Sequence, residues 1–162
     1  MQLIIQNIRH CRQRVHHFFT KKWLTDKMIV SSGEYDIDHL DGFVAFSEEQ
    51  IVGLVTYVKR VSEVEIISLD SLLEGRGIGS LLLQGVETTA INHQIPQVLV
   101  TTTNDNLQAM IFYQHRGYRF KEVIPDAVDL ARRQKPEIPL IGNNHIEIHD
   151  ELILGKQVIS AV

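Results

Sequence analysis

Residues 69–83 read Leu69-Asp70-Ser71-Leu72-Leu73-Glu74-Gly75-Arg76-Gly77-Ile78-Gly79-Ser80-Leu81-Leu82-Leu83. An apolar run stops, glycines alternate at 75, 77 and 79, and an apolar helical pattern starts at once. Glycine accepts positive φ and lets another molecule approach the main chain. The first N–H groups of a helix have no partner inside it. A turn of bare amides at a helix N-terminus attracts anions, phosphates above all. The stretch predicts a strand, a turn and a helix, with a phosphate-bearing ligand at residues 75–80. The plain alternative is a tight connection that holds nothing.

Three strand-like runs lead into this turn: Gly42–Phe46, Gln50–Val58 and Val64–Leu69. Their short polar connections predict antiparallel neighbours. The middle run is apolar at nearly every position, as in a strand covered on both faces. After the turn, a helix over 77–93 carries Ile78, Leu82, Gly85, Val86, Thr89 and Ala90 along one stripe. Gln97–Thr103 is a β-branched strand. Strand, crossover helix and strand make 64–69 and 97–103 parallel and joined right-handedly. The glycine turn then lies at the carboxyl end of a parallel strand, where open α/β sheets bind ligands.

Toward the N-terminus, 2–6 reads as a strand and 8–23 as a helix, with Ile8, Cys11, Val15, Phe18, Phe19 and Leu24 near helical spacing. His16 and His17 are adjacent, so they do not face one way and do not read as a metal pair. Trp23 reads as packing. Residues 25–41 read as a loop or a broken helix with a solvated acidic surface. Toward the C-terminus, Asn104-Asp105-Asn106 supplies N-caps for a helix over 106–115, and Gly117 stops it. Tyr118–Val123 reads as a strand, Asp126–Gln134 as a short helix, and His145–Leu154 as a closing strand with His145, Glu147 and His149 on its exposed face.

The 162 residues suit a single domain over 1–162. A net charge of −4 argues against nucleic acid or an anionic membrane as partner. The single cysteine, Cys11, allows no internal disulfide and points to a reducing compartment. No stretch reaches the length of a membrane span, and no signal-peptide core is present. The expectation is a cytoplasmic protein without a metal.

Two signals coincide: the glycine turn after an antiparallel meander, and Asn104-Asp105-Asn106-Leu107-Gln108-Ala109-Met110-Ile111-Phe112-Tyr113-Gln114-His115-Arg116-Gly117-Tyr118 one strand later. Together they resemble the GNAT family of acetyl-CoA-dependent N-acetyltransferases. Glu74-Gly75-Arg76-Gly77-Ile78-Gly79 occupies the family's Gln/Arg-x-x-Gly-x-Gly/Ala motif. Asn106, Ala109, Phe112, Tyr113, Gly117 and Tyr118 match its following motif.

The resemblance implies an α/β fold of α+β type: a mixed, mostly antiparallel central sheet with one parallel βαβ pair and helices on both faces. It implies that the strand near Leu69 and Ser71 holds the pantetheine arm of acetyl-CoA. The amides of Gly75, Arg76, Gly77, Ile78, Gly79 and Ser80 would hold the pyrophosphate, and Asn106 the cofactor arm. Tyr113 would sit near the thioester sulfur as general acid. Its phenol, with an ordinary pKa of about 10, arrives protonated. Glu65, which shares side-chain parity with Leu69 under strict alternation, is the candidate base for the acceptor amine. Glu74 departs from the family's Gln or Arg. The acceptor is an amine-bearing small molecule, peptide or protein, and a homodimer is compatible.

The rivals are weaker. A dinucleotide fingerprint from 75 needs Gly at 80, where the chain has Ser80. A phosphate-loop NTPase needs Gly-Lys-Ser/Thr, which is absent. The alternative from another class is a non-catalytic GNAT-fold sensor of acyl-CoA.

Overall fold

The computed structural model describes residues 2–160. Its elements are β1 (Leu3–Asn7), α1 (Arg12–Trp23), β2 (Lys27–Val30), β3 (Gly33–Asp36), β4 (Asp41–Ser47), β5 (Gln50–Lys59), β6 (Glu63–Ser71), α2 (Ile78–Asn92), β7 (Gln97–Thr103), α3 (Leu107–His115), β8 (Arg119–Ile124), α4 (Ala127–Gln134) and β9 (Glu151–Gln157). Seven strands follow the order β1-β4-β5-β6-β7-β9-β8, mostly antiparallel. β6 and β7 are the parallel pair, joined through α2 as the sequence predicts. Two compact units divide the chain. Among the described residues, one takes 2–28, 35–98 and 157–160; the other takes 29–34 and 99–156.

In the first unit β1, β4, β5 and β6 form an antiparallel meander. One side packs on α1 in a core of Ile8, Val15, Phe19, Val44, Leu54 and Ile67, closed by Ile37 and Leu40. The other side takes α2, which buries Ile78, Leu82, Val86 and Ala90 at steps of four. Gly53 of β5 is what lets α2 come so close. A Cβ there would lie 2.5 Å from Ile78 Cγ2 and 3.2 Å from the Asp70 carbonyl oxygen.

β6 does not alternate evenly. Thr56 pairs with Ser68 but Tyr57 pairs with Ile66, so Ile67 is an extra residue, a β-bulge. Thr56 and Ser68 share a hydroxyl–hydroxyl hydrogen bond of 2.6 Å, which fixes the facing. Val58 opposes Glu65 and Leu54 opposes Asp70. Glu65, Ser68 and Asp70 therefore share one face, and Leu69 lies on the other. The parity that linked Glu65 to Leu69 in the sequence does not hold, because the bulge resets it.

Three further expectations are corrected. Residues 27–36 are neither loop nor helix: β2 and β3 form a two-stranded sheet of their own. Met28, Ile29 and Val30 favour a strand, and Ser31-Ser32 supply the turn. Leu24 is not a helix-face residue. It closes α1 in a left-handed conformation, φ 59°, and is 89% exposed.

The closing strand starts at Glu151, not at His145. In the second unit Asn144 and His145 have positive φ, which ends any strand there. Two side chains take up the following backbone. Asn104 Oδ1 accepts from the N–H groups of His149 and Asp150 (2.9 and 3.0 Å), and its Nδ2 donates to the Glu147 carbonyl at 2.8 Å. The buried Asp105 accepts from the Asn143 N–H at 2.9 Å and from the Thr103 hydroxyl. Of the Asn104-Asp105-Asn106 run, only Asn106 caps α3, accepting from the Ala109 N–H at 3.1 Å.

Candidate active site

The turn after β6 has the geometry that an anion site needs. Gly75 and Gly77 adopt φ of +70° and +73°, the left-handed region that side-chain-bearing residues avoid. No heavy atom lies within 4 Å of where a Cβ would stand on either, so the main chain is open to an incoming group. Residues 71–77, with Glu74 and Arg76 among them, are exposed. α2 starts at Ile78 with no side chain capping its first turn, so the helix dipole's positive end faces outward. Leu69 is half-buried on β6, and the Leu72 N–H closes the strand end on the Val52 carbonyl at 2.9 Å. These features fit a pyrophosphate.

The face of β6 toward α1 carries three polar groups. Glu65 is 5% exposed, and Arg60 Nη1 donates to its Oε1 at 2.7 Å. Arg60 Nη2 donates to the Tyr35 hydroxyl at 2.6 Å. The guanidinium's pKa is raised, because burial's opposing pull is outweighed by the Glu65 hydrogen bond and charge. Asp70 is the other buried carboxylate of this face, 8% exposed. Trp23 Nε1 donates to its Oδ2 at 2.9 Å. Burial raises the Asp70 pKa against the opposing effects of that bond and of the Lys22 charge. Asp70 escaped the sequence reading. The available signal was a carboxylate one residue inside the end of an apolar strand.

In the second unit, Tyr113 on α3 is 5% exposed. Its ring meets Phe112 and Tyr118 edge-on, with centroids 5.1 and 5.4 Å apart. Its carbonyl accepts from the Arg116 and Tyr118 N–H groups, both at 3.0 Å, which fixes the end of α3. Asn106 is half-buried at the start of that helix, its side-chain oxygen occupied by capping. Further along, Glu151 is 2% exposed, and both of its carboxylate oxygens accept from the Ser31 N–H (3.1 and 3.0 Å). Sequence reading did not single out Glu151, because nothing in an alternating strand pattern marks an acid as inward-facing.

The sequence model of the acetyltransferase (GNAT) family matches residues 8–118. The uncharacterised protein YdhI of Bacillus subtilis (strain 168) is 45% identical over 159 residues, covering 98% of this chain and 99% of that protein. The uncharacterised protein YxbD of the same organism is 45% identical over 156 residues, covering 96% of this chain and 98% of that one. Among solved structures, an IAA acetyltransferase from Bacillus cereus ATCC 14579 superposes with a TM-score of 0.73 at 20% identity, covering 96% of this chain and 99% of that chain. A GNAT family acetyltransferase from Elizabethkingia anophelis, with acetyl-CoA bound, gives 0.67 at 16% identity, covering 96% and 97%. At such identities the superpositions speak to the fold.

Proposed function

The chain belongs to the GNAT acetyltransferase family, and on that premise we propose that it is an acetyl-CoA-dependent N-acetyltransferase that moves the acetyl group directly to a primary amine. The observation that carries this reading is the β6–α2 turn, with its two left-handed glycines, open main chain and uncapped helix start. Gly75 to Ser80 would hold the pyrophosphate. Leu69 and Ser71 would hold the pantetheine arm through main-chain groups, and Asn106 would contribute its remaining amide group. Acetyl-CoA supplies a thioester whose acetyl carbon an uncharged amine can attack.

The chain's own residues handle the protons. Tyr113 holds one at its phenol oxygen, available to the departing sulfur. An alkyl amine is protonated near neutral pH, so a base must take its proton. Glu65 is the first candidate, but Arg60 already neutralises it. Asp70 carries a carboxylate whose basicity burial has increased, and it is the second candidate.

The engaged state of Glu65 is also what favours the second reading, a non-catalytic sensor that binds acyl-CoA. Titration calorimetry with acetyl-CoA, desulfo-CoA and NAD tests binding. The expected result is micromolar affinity for the CoA compounds and none for NAD. A thiol-release screen across amines then separates the readings. Binding without amine-dependent release would leave the sensor, and no CoA binding would remove both.

A further inference from the structure

A groove of about 780 Å³ lies between α1 and the β4–β5 turn in the first unit. That volume is in the range of small-molecule sites. α1 lines it with Arg14, His17, Lys21 and Lys22, the first three at steps of three and four residues. The turn between β4 and β5, from Glu49 to Ile51, and Leu72 line it as well. Phe18, Ile51 and Leu72 give it apolar surface.

The charge of this groove runs against the protein's net −4. Among the described residues, no carboxylate is ion-paired with Arg14, Lys21 or Lys22. Glu49 is the single acid along the groove. Arg14 is held in place without being neutralised. Its Nη2 donates to the Glu49 carbonyl, and its guanidinium lies 4.6 Å from the centroid of the Phe46 ring. A fixed guanidinium and two ammonium groups outside any ion pair, one of which (Lys22) also acts on buried Asp70, stand beside aliphatic and aromatic walls and make a site for a carboxylate with an apolar body. Amines and polyamines are repelled there. A nucleic acid is disfavoured by the negative charge of the rest of the molecule.

We propose that the groove between α1 and the β4–β5 turn is a binding site for an amphipathic organic carboxylate, reaching the β6–α2 connection only at Leu72 and using none of Gly75 to Ser80. The carboxylate pairs with Arg14, Lys21 and Lys22, and the apolar body covers Phe18, Ile51 and Leu72. The site rests on its own lining and does not depend on acetyl transfer.

Trp23 is the only tryptophan, adjoins Lys22 in sequence and is 37% exposed, so its fluorescence is a local reporter. Octanoate, octylamine and octan-1-ol are titrated into the full chain, with and without saturating CoA, by fluorescence and calorimetry. The expected result is saturable octanoate binding, at least tenfold tighter than that of octylamine or octanol and unchanged by CoA. The Lys21→Gln/Lys22→Gln double variant is expected to weaken it at least tenfold while keeping Tm and acetyl-CoA affinity. Absence of saturable octanoate binding, equal binding by the double variant, or displacement of octanoate by CoA would each overturn the proposal.

Discussion

Trp23 on α1 donates its indole N–H to Asp70 Oδ2 at 2.9 Å, tying the end of the helix to the last turn-ward residues of β6. The bond satisfies a carboxylate that burial has pushed toward its protonated form. A carboxyl whose folded pKa lies above its unfolded value near 3.8 binds its proton more tightly in the native state. Its stabilising contribution is complete below the unfolded value and is lost as pH rises through the folded one. At neutral pH Asp70 therefore costs stability relative to a neutral group of the same shape. Asp70→Asn, which still accepts from Trp23, is expected to gain about 1 kcal/mol at pH 7. The gain should shrink toward zero as denaturant midpoints are followed down to pH 4. A gain independent of pH would remove the electrostatic account.

The same variant separates the two candidate bases. If Asp70 takes the amine's proton, Asp70→Asn lowers kcat by about 10²-fold and flattens the acid limb of the pH–rate profile. Glu65→Gln then leaves that limb in place. The opposite pattern assigns the base to Glu65.

Tyr113→Phe is expected to keep the fold, because the ring contacts with Phe112 and Tyr118 survive. Turnover should fall about 10²-fold with acetyl-CoA affinity unchanged within twofold. Unchanged turnover would show that the phenol proton is not used.

Arg60→Ala leaves Glu65 buried without its cation, at a cost of about 2 kcal/mol, below the range for a fully buried pair because Arg60 is partly exposed. In a Glu65→Gln background the same substitution should cost less. A double-mutant cycle by chemical denaturation measures the difference.

Gly142→Ala would place a Cβ 2.1 Å from Asp105 Oδ2, which is committed to the Asn143 N–H. Displacing a buried, engaged carboxylate should lower stability by about 2 kcal/mol. Gly75→Ala meets no neighbour and should cost only its left-handed strain, about 1 kcal/mol. Thermal denaturation of the two variants ranks them.

His149 lies between Asp129 (2.9 Å to Nδ1) and Glu147 (3.3 Å to Nε2), and their hydrogen bonds raise its pKa above 6.5. Its contribution to stability is complete below 6.5 and is lost as pH rises through the folded value. The ring should titrate above 6.5 by NMR, and Asp129→Asn should bring the midpoint back toward that value.

The meander, the glycine turn, α2 and β7 were legible because each is set by local pattern: period two in the strands, period four in α2, glycine where φ must be positive. What was not legible depends on partners distant in sequence. Nothing near Ile67 marks it as an extra residue; the bulge exists only in the pairing with Thr56 and Tyr57. The late start of the closing strand at Glu151 follows from Asn104 and Asp105, more than 35 residues earlier, holding the segment 143–150. The resemblance located the turn and the Asn106–Tyr113 helix. It could not reveal that Glu65 is already engaged by Arg60, since an ion pair across a hairpin leaves no periodic trace.

The extra residue at Ile67 divides β6 into two reading frames. Up to Ile66 the strand is written for one assignment of inside and outside, and from Ser68 onward for the opposite one. Deleting Ile67 would close the bulge and keep Ile66 opposite Tyr57 and Glu65 opposite Val58 in a regular ladder, so the facing of this half-strand is stored in its partner β5 and not in its own spacing. The extra residue is the mark of a strand whose two halves are each held in phase from outside, and what its loss would remove is the local kink and twist that separate them.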